Sequence, residues 1–478
     1  MFPRWSFPTL PSIGLSNDER ELIADLQSKA LPDRRVMELS EAYYLGEQVI
    51  DNLRIAIPES LEHLRTIVGW ASLAVDPYAE RHSIDCFRMR SDTDANEYLS
   101  NLWSANGLDA ELPLAITDAL SMGQGYWCVG SPLEKGYEPR ITVESPLNMA
   151  VRWDLRGIDP IAAFHQFYDN GRQQAALLRP GSTVHVALND KSEWEVVSRD
   201  NHGFDFVPLV RMPNMARASN RAGRSAITGP LRSTIDSTCR TLLGLEVARE
   251  IYSAPGLMIL GATEDAFVKS DGSMKTAWDA YITSVLALER DKEGNLPEVV
   301  QRKAYDPSVF TKIVDSAASQ AASIVLAPPQ DIGLYTNGNP VSAEAQNTAE
   351  ARRNRRARFQ QTSAFTTPLT KVMQHAVRFA NKGNLPDEYR QIEIDWRDVE
   401  EVSPGVMSDS LGKQIAAGMI PATSDVTLKK AGWSAVQRAR LAKDRKAEEG
   451  RQAARDIAAS LIPPAAAQEP NADPAASI

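Results

Sequence analysis

Two proline signals divide the middle of this 478-residue chain. The stretch "PSVFTKIVDSAASQAASIVL" (307–326) carries a helical pattern, and Pro328-Pro329 stops it. Proline has no amide hydrogen to donate, and its ring collides with the preceding turn. After a Gly/Asn-rich loop, Asn339 supplies a helix N-cap and Pro340 a first helical residue, with Glu344 complementing the positive end of the dipole. That helix is expected to run for about forty residues, to about Ala380. Pro368 in "FTTPLT" predicts a kink inside it.

Upstream, another long helical stretch runs from Ile227 to about Tyr252 and ends at Pro255-Gly256. Between the two long helices lie a short strand "GLMILG", a helix "SMKTAWDAYITSVLAL" and the loop and strand "GNLPEVVQRKAY". Two helices flanking a compact excursion predict an antiparallel pair with a small α/β module at its tip.

The N-terminal part begins with a helix from Asn17 to Leu45, apolar at Leu22, Ile23 and Leu26, capped near Ser16 and stopped by Gly46. Helices are also expected over Glu59–Leu73, Asp92–Asn106 and Glu111–Met122, with "HSIDCFRMR" a strand. The short β-rich runs "GYWCVGS", "PRITVESP", "NMAVRWD", "IAAFHQFYD", "STVHVAL" and "SEWEVVSR" predict one meandering, largely antiparallel sheet between Gly125 and Val210. Residues 212–227 read as a flexible basic linker with Arg217, Arg221 and Arg224. "YRQIEIDWRDVEEVS" is a strand that must find a sheet elsewhere. The last hundred residues are helical up to a tail from 462 that is disordered by composition. The fold class is α+β, mainly helical.

Chemistry is hard to place on this chain. The formal charge of −10 excludes a wholly basic nucleic-acid clamp. Cys86, Cys128 and Cys239 form no CxxC pair and suit a reducing compartment. The apolar start is broken by Pro3, Pro8 and Pro11, and no apolar run reaches the roughly 20 residues of a membrane span. A soluble, intracellular product with no membrane association is expected. There is no GxxxxGK[ST], and "GQGYWCVG" lacks a third glycine in register and opens a strand. The six histidines are scattered without metal-ligand spacing, and Asp395 and Asp398 fall on opposite faces of a strand. No nucleophile, base and oxyanion set emerges, so neither an enzyme nor a metal or cofactor site is expected.

The unusual feature is an acidic chain that concentrates Arg352, Arg353, Arg355, Arg356 and Arg358 on one helix, just beyond a mobile loop. At 100° per residue, Arg352 and Arg356 lie close together while Arg353, Arg355 and Arg358 point elsewhere. An all-round distribution predicts a helix wedged among several neighbours. Some arginines would then serve intersubunit ion pairs or face a channel, against the plainer reading of a solvated helix with Glu344 and Glu350 as local partners.

The order of parts resembles the bacteriophage portal proteins common in phages of actinobacteria. Its carriers are "YYLGEQ", "NGLDAELPLAITDALSMGQGYWCVG", "PRITVESP", "AGRSAITGPLRSTIDSTCRTLLGLEVAREIYSAPGLMILG" and the "NPVSAEA…AEARR" helix start after a Pro-Pro loop. The resemblance covers about Leu22 to Gln437.

It implies a ring, usually of twelve subunits, at one capsid vertex of the virion, assembled in the host cytoplasm. The parts would be a wing (1–225), a first stem helix (226–253), a clip (254–305), a second stem helix (306–326), a tunnel loop (327–341), a kinked tunnel helix (342–381), a returning wing strand (382–403), a helical crown (404–461) and the tail (462–478). Gln330, Asp331, Leu334, Tyr335, Thr336 and Asn337 would face DNA, with Gly333, Asn337 and Gly338 keeping the loop mobile. Partners implied are further copies of the chain, viral double-stranded DNA bound without sequence preference, the terminase large subunit, a head–tail adaptor, and major capsid and scaffolding proteins. The competing expectation is another ring-forming head–tail adaptor or capsid component, for which the chain is long.

Overall fold

The structure is a computed structural model that describes residues 12–49, 65–90, 92, 94–132, 138–169, 171–252, 257–260, 298–301, 306–333, 343–400 and 404–460. It is a mixed helix-and-sheet fold. Helix α1 (Asn17–Leu45) has the local signals the sequence promised. Ser16 accepts from the Glu19 amide while the Glu19 carboxylate accepts from the Ser16 amide, and Gly46 closes the helix in the left-handed region. Of the expected helix over Glu59–Leu73, residues up to 64 lie outside the described part. The rest is extended chain and a 3-10 turn, Gly69–Ala74. Short helix α2 (Asp76–Ala79), strand β2 (Ile84–Met89), α3 (Glu97–Ala105, capped by Asn96) and α4 (Leu108–Met122) follow.

Eight strands come next: β3 (Gln124–Gly130), β4 (Arg140–Glu144), β5 (Met149–Trp153), β6 (Pro160–Asp169), β7 (Arg172–Arg179), β8 (Ser182–Leu188), β9 (Trp194–Asp200) and β10 (Leu209–Pro213). They do not form the single sheet that the sequence suggests. β5 to β9 meander antiparallel, with β1 (Ser12–Ile13) added parallel to β9, while β10, β3 and β4 make a separate three-stranded sheet.

The pleat explains the division. Ala162, Phe164, Ala175, Leu177, Val184 and Val186 face α1 at Ile23 and Leu26. The alternate residues Ala163, Ala176 and Leu178 pack on Tyr126, Val207 and Leu209 from the second sheet's side. A sheet buried on both faces needs a second layer, and β10-β3-β4 provides it.

Helices α5 (Gly229–Tyr252) and α6 (Ser308–Val325) pack together, with a hairpin of β11 (Leu257–Leu260) and β12 (Glu298–Gln301) between them in the chain. They run antiparallel. Gly244, late in α5, approaches Phe310, at the start of α6, so closely that a Cβ there would sit 3.3 Å from the ring. The early half of α5 (Leu231, Ile235) and the late half of α6 (Ala321, Val325) share the main core. The excursion's expected helix lies outside the described residues.

Helix α7 (Ala343–Gln360), a π turn (Gln361–Phe365) and α8 (Thr366–Ala380) come next. Strand β13 (Ile392–Trp396) returns to pair with β2, and α9 (Pro404–Ala416), α10 (Asp425–Lys430) and α11 (Ala435–Ser460) end the described chain. The α11 end docks on that ribbon through one buried ion pair, Arg438 to Asp85 at 3.1 Å. Two adjacent tyrosines of "YYLGEQ" tie α1 down: Tyr43 donates to Asp236 on α5 at 2.8 Å, and Tyr44 to Asp76 on α2 at 2.7 Å.

Candidate functional site

The five arginines of α7 divide into three environments. Arg353 is 2% exposed. Its Nη1 donates to Asp331 Oδ2 at 2.9 Å and to Glu350 Oε1 at 3.2 Å. Glu350 also accepts from Arg81 at 2.6 Å, and Arg81 donates onward to Asn354 Oδ1 and the Pro77 carbonyl. Asp331 belongs to the 3-10 turn Pro329–Ile332 that follows α6. The result is a chain of alternating charges, Asp331–Arg353–Glu350–Arg81, clamping the start of the loop to α7 and to the α2 region. Among the described residues, Arg353 Nε and Nη2 have no hydrogen-bond partner.

Arg358 points to another side. Its Nη2 donates to Asp398 at 3.0 Å and to Glu400 at 2.7 Å, and these contacts hold its proton more tightly than usual. It fastens α7 to the segment after β13.

Arg352 and Arg355 are exposed and Arg356 is half-buried. With Phe359 they occupy positions i, i+3, i+4 and i+7, which is one helix face. Phe359 is 58% exposed, and the Arg356 guanidinium lies 5.9 Å from its ring centroid. Burial lowers the proton affinity of Arg356, Tyr78 opposes this, and Arg224 adds a smaller lowering. Among the described residues none of these three arginines has a carboxylate partner. The sequence reading set Arg355 apart from Arg352 and Arg356. The burial pattern places the three together, because Arg353, Asn354, Ala357 and Gln360 take the inward side.

Of the loop residues singled out from the sequence, Gln330 is half-buried and Asp331 is engaged with Arg353. Leu334, Tyr335, Thr336 and Asn337 lie outside the described residues, as does the expected cap Asn339.

Helical register changes three residues before Pro368. The Thr366 amide donates to the Gln361 carbonyl, one residue further back than in an α-helix. Pro368 has no amide to offer residue 364, so a widened turn there leaves fewer unmet carbonyls. Hydroxyls reinforce the turn: Thr362 donates to the Arg358 carbonyl, and Thr366 Oγ1 joins its own amide on the Gln361 carbonyl at 2.7 Å.

Behind the turn runs a buried polar chain that sequence reasoning missed. His82, 3% exposed, meets Gln360 at 3.4 Å, and its ring stands edge-on to Phe365 with centroids 5.1 Å apart. Burial pushes its pKa down to about 4, with the Gln360 contact opposing. Gln360 donates to Asn214 Oδ1 at 3.3 Å, and Asn214 Nδ2 to the Arg224 carbonyl at 2.9 Å.

Asn214 is fully buried, and its amide donates to the Gly123 carbonyl at 2.8 Å. Gly223, at φ +87°, passes so near that a Cβ would lie 2.4 Å from the carbonyls of Asn214 and Gly123. The segment read as a flexible linker is therefore a tightly pinned turn that presents Arg217, Arg221 and Arg224 to solvent. Its only sequence signal is Asn214 and Gly223 themselves, residue types suited to turns. Asp395 and Asp398 do not share a strand as the sequence suggested: β13 ends at Trp396, and Asp398 lies in the segment after it. Asp395 faces Lys429 at 3.2 Å and Arg88 at 3.5 Å, and Asp398 faces Arg358.

No helix among the described residues is long and apolar enough to cross a membrane. The family model for phage portal proteins of the SPP1 Gp6-like type matches residues 31–452. The chain is 30% identical over 406 residues to the portal protein of Mycobacterium phage D29, covering 83% of this chain and 82% of that one. It is 31% identical over 386 residues to the portal protein of Mycobacterium phage L5, covering 79% and 78%. Among solved structures, a chain from the virion of a native gene transfer agent particle aligns over 83% of this chain and 93% of its own, at 15% identity and a TM-score of 0.42. With a match that begins within α1 and ends within α11, the chain belongs to the SPP1 Gp6-like family of phage portal proteins.

Proposed function

We propose that this chain is the portal subunit of a tailed double-stranded DNA phage. It assembles into a ring of twelve at one capsid vertex, and DNA enters and leaves through the bore. The carrying observation is family membership over residues 31–452, supported by two phage relatives that are themselves portal proteins.

The parts follow the family plan. The wing is residues 1–225 with the returning strand β13. The stem is α5 and α6, the clip is 254–305, the tunnel helix is α7 with α8, and the crown is α9 to α11. The terminase large subunit docks on the clip during packaging and a head–tail adaptor afterwards, while major capsid and scaffolding proteins meet the wing. The function is structural. The tunnel loop, residues 327–341, projects into the bore and meets DNA through Leu334, Tyr335, Thr336 and Asn337, with Gln330 and Asp331 at its foot. The Asp331–Arg353 pair supports this reading because it fixes where the loop departs from the core. An acidic bore suits passage, since a phosphate contact that must break at every step would slow the duplex.

The test is electron microscopy of negatively stained protein with mass photometry of the same sample. Rings with a central hole and a mass near twelve times 52.5 kDa are expected. A monomer that persists across salt and concentration would overturn the reading.

A further inference from the structure

Arg352, Arg355, Arg356 and Phe359 form one outward face of α7, joined at the level of Arg356 by Arg224 from the pinned turn. We propose that this face is a contact surface for a second copy of the chain, and that Arg353 and Arg358 take no part in it. The inference rests on the ring-forming reading above and names the partner of the arginine helix.

Three observations favour a copy of the chain over duplex DNA. The first is intramolecular accounting. Arg353 and Arg358 are already engaged with Asp331 and Glu350, and with Asp398 and Glu400. The other three lack any carboxylate among the described residues, so the free cations are confined to one face.

The second is Phe359. A sliding duplex offers an exposed phenyl ring nothing but charged backbone. Arginine together with an aromatic ring is instead the composition enriched at the energetic centre of protein interfaces.

The third is charge complementarity. The chain holds 62 acidic against 52 basic residues, so a locally basic, aromatic-centred face finds its complement on the prevailing acidic surface of another copy. Burial weakens the hold of Arg356 on its proton, with Tyr78 opposing and Arg224 adding to it, and an incoming carboxylate would relieve that. A face that meets a different face of its neighbour builds a closed ring when the rotation closes.

The experiment uses the full chain. F359A and R352E/R356E are compared with wild type and with R358E, which alters an arginine outside the proposed surface. Folding is checked by circular dichroism and thermal melting. Ring formation is followed by mass photometry across a concentration series. Loss of an interface anchor should raise the concentration needed for assembly by about thirtyfold. F359A and R352E/R356E should show this at unchanged fold, whereas R358E, which sets a carboxylate beside Asp398 and Glu400, should melt earlier yet assemble at the wild-type concentration.

A second readout needs no loss of assembly. F359C should react with a maleimide in the monomer and be protected in the empty ring. Assembly of F359A and R352E/R356E at wild-type concentrations would overturn the contact. So would a Cys at 359 that stays reactive in empty rings and is protected only when DNA is added, which would assign the face to DNA. A wild-type chain that never self-associates would overturn the portal reading and this contact together.

Discussion

Asp331 and Arg353 are joined at 2.9 Å across the start of the loop, one at the foot of a segment that leaves the core and the other buried in the helix that follows. The pair does for the loop what a turn residue alone cannot. A 3-10 turn sets the direction of departure, and a buried charge fixes its position.

Asp331→Ala should therefore act beyond its own exposed position. A hydrogen bond to a charged group contributes about 1.5–3 kcal/mol, and here Glu350 remains as a second partner. A loss of about 2 kcal/mol in unfolding free energy is expected, read by urea denaturation. Amide hydrogen exchange over 327–333 should quicken while β6 and β7 stay protected. Unchanged exchange in that segment would show that the turn holds without the pair. The same logic applies to a loop deletion: removing 330–338 strips Arg353 of Asp331 and the main core of Ile332, so it should cost at least as much as Asp331→Ala.

Glu19 predicts an acid-sensitive cap. Arg199 donates to it twice, at 2.6 and 2.9 Å, and Arg179 donates at 2.9 Å. The Arg199 hydrogen bonds lead in lowering its pKa from 4.5 to about 2, with burial opposing. Because the folded value is the depressed one, the stabilisation is present above pH 4.5 and is lost as pH falls towards 2. Its size is about 3 kcal/mol. Glu19→Gln should cost that much near neutrality, and the difference from wild type should close between those two values in pH-dependent denaturation.

His82 predicts a second window at higher pH. Its folded pKa of about 4 lies below the ordinary 6.5, so the unfolded chain binds more protons between those values and stability declines as pH falls through that range. Replacing His82 with Gln should remove its share of that slope, leaving the like contribution of half-buried His375, lowered to about 3, and the opposite one of Asp118, raised by burial to about 7. A slope unchanged by the substitution would assign the effect to those groups.

These residues also mark what the sequence could and could not convey. Ser16 and Gly46 announced α1 correctly because capping is local and a few residues carry the whole signal. Pro328-Pro329 stopped α6 for the same reason. Strand β7, "RQQAALLR", was missed because its glutamines and alanines lack the β-branched composition that marks a strand, and only its neighbours β6 and β8 make it one. The 212–227 segment was misread because its order depends on Gly123 and Gln360, far away in sequence. The sharing of α7's arginines between core, ion pair and open face was equally hidden. Helical angles are local, but which side faces inward is decided by Asp331, Arg81 and Asp398.

Gly223→Ala and Gly333→Ala should differ sharply although both glycines have positive φ, +87° and +82°. At Gly333 a Cβ meets nothing within 4 Å among the described residues, so the strain of the left-handed backbone, about 1 kcal/mol, is the cost expected there. At Gly223 a Cβ would press on two backbone carbonyls that cannot swing away without releasing Asn214. A loss above about 3 kcal/mol, or failure to accumulate as soluble protein, is expected there. Equal melting temperatures for the two variants would remove the pinned turn from the account.

Thr366 tests the widened turn before Pro368. Its hydroxyl donates to the Gln361 carbonyl at 2.7 Å and accepts from Trp396 Nε1 at 2.9 Å, so one oxygen stitches the π turn to β13. Thr366→Val keeps the shape and removes the oxygen, leaving the indole N–H and the carbonyl without that partner. The expected cost is about 2 kcal/mol. Thr366→Ser restores the oxygen and should recover most of it. Thermal denaturation supplies the energies, and tryptophan emission, sensitive to the indole hydrogen bond, supplies the local check. If Val and Ser variants melted alike, packing of the methyl group would be the stabilising contact, and the register change would rest on Pro368 alone.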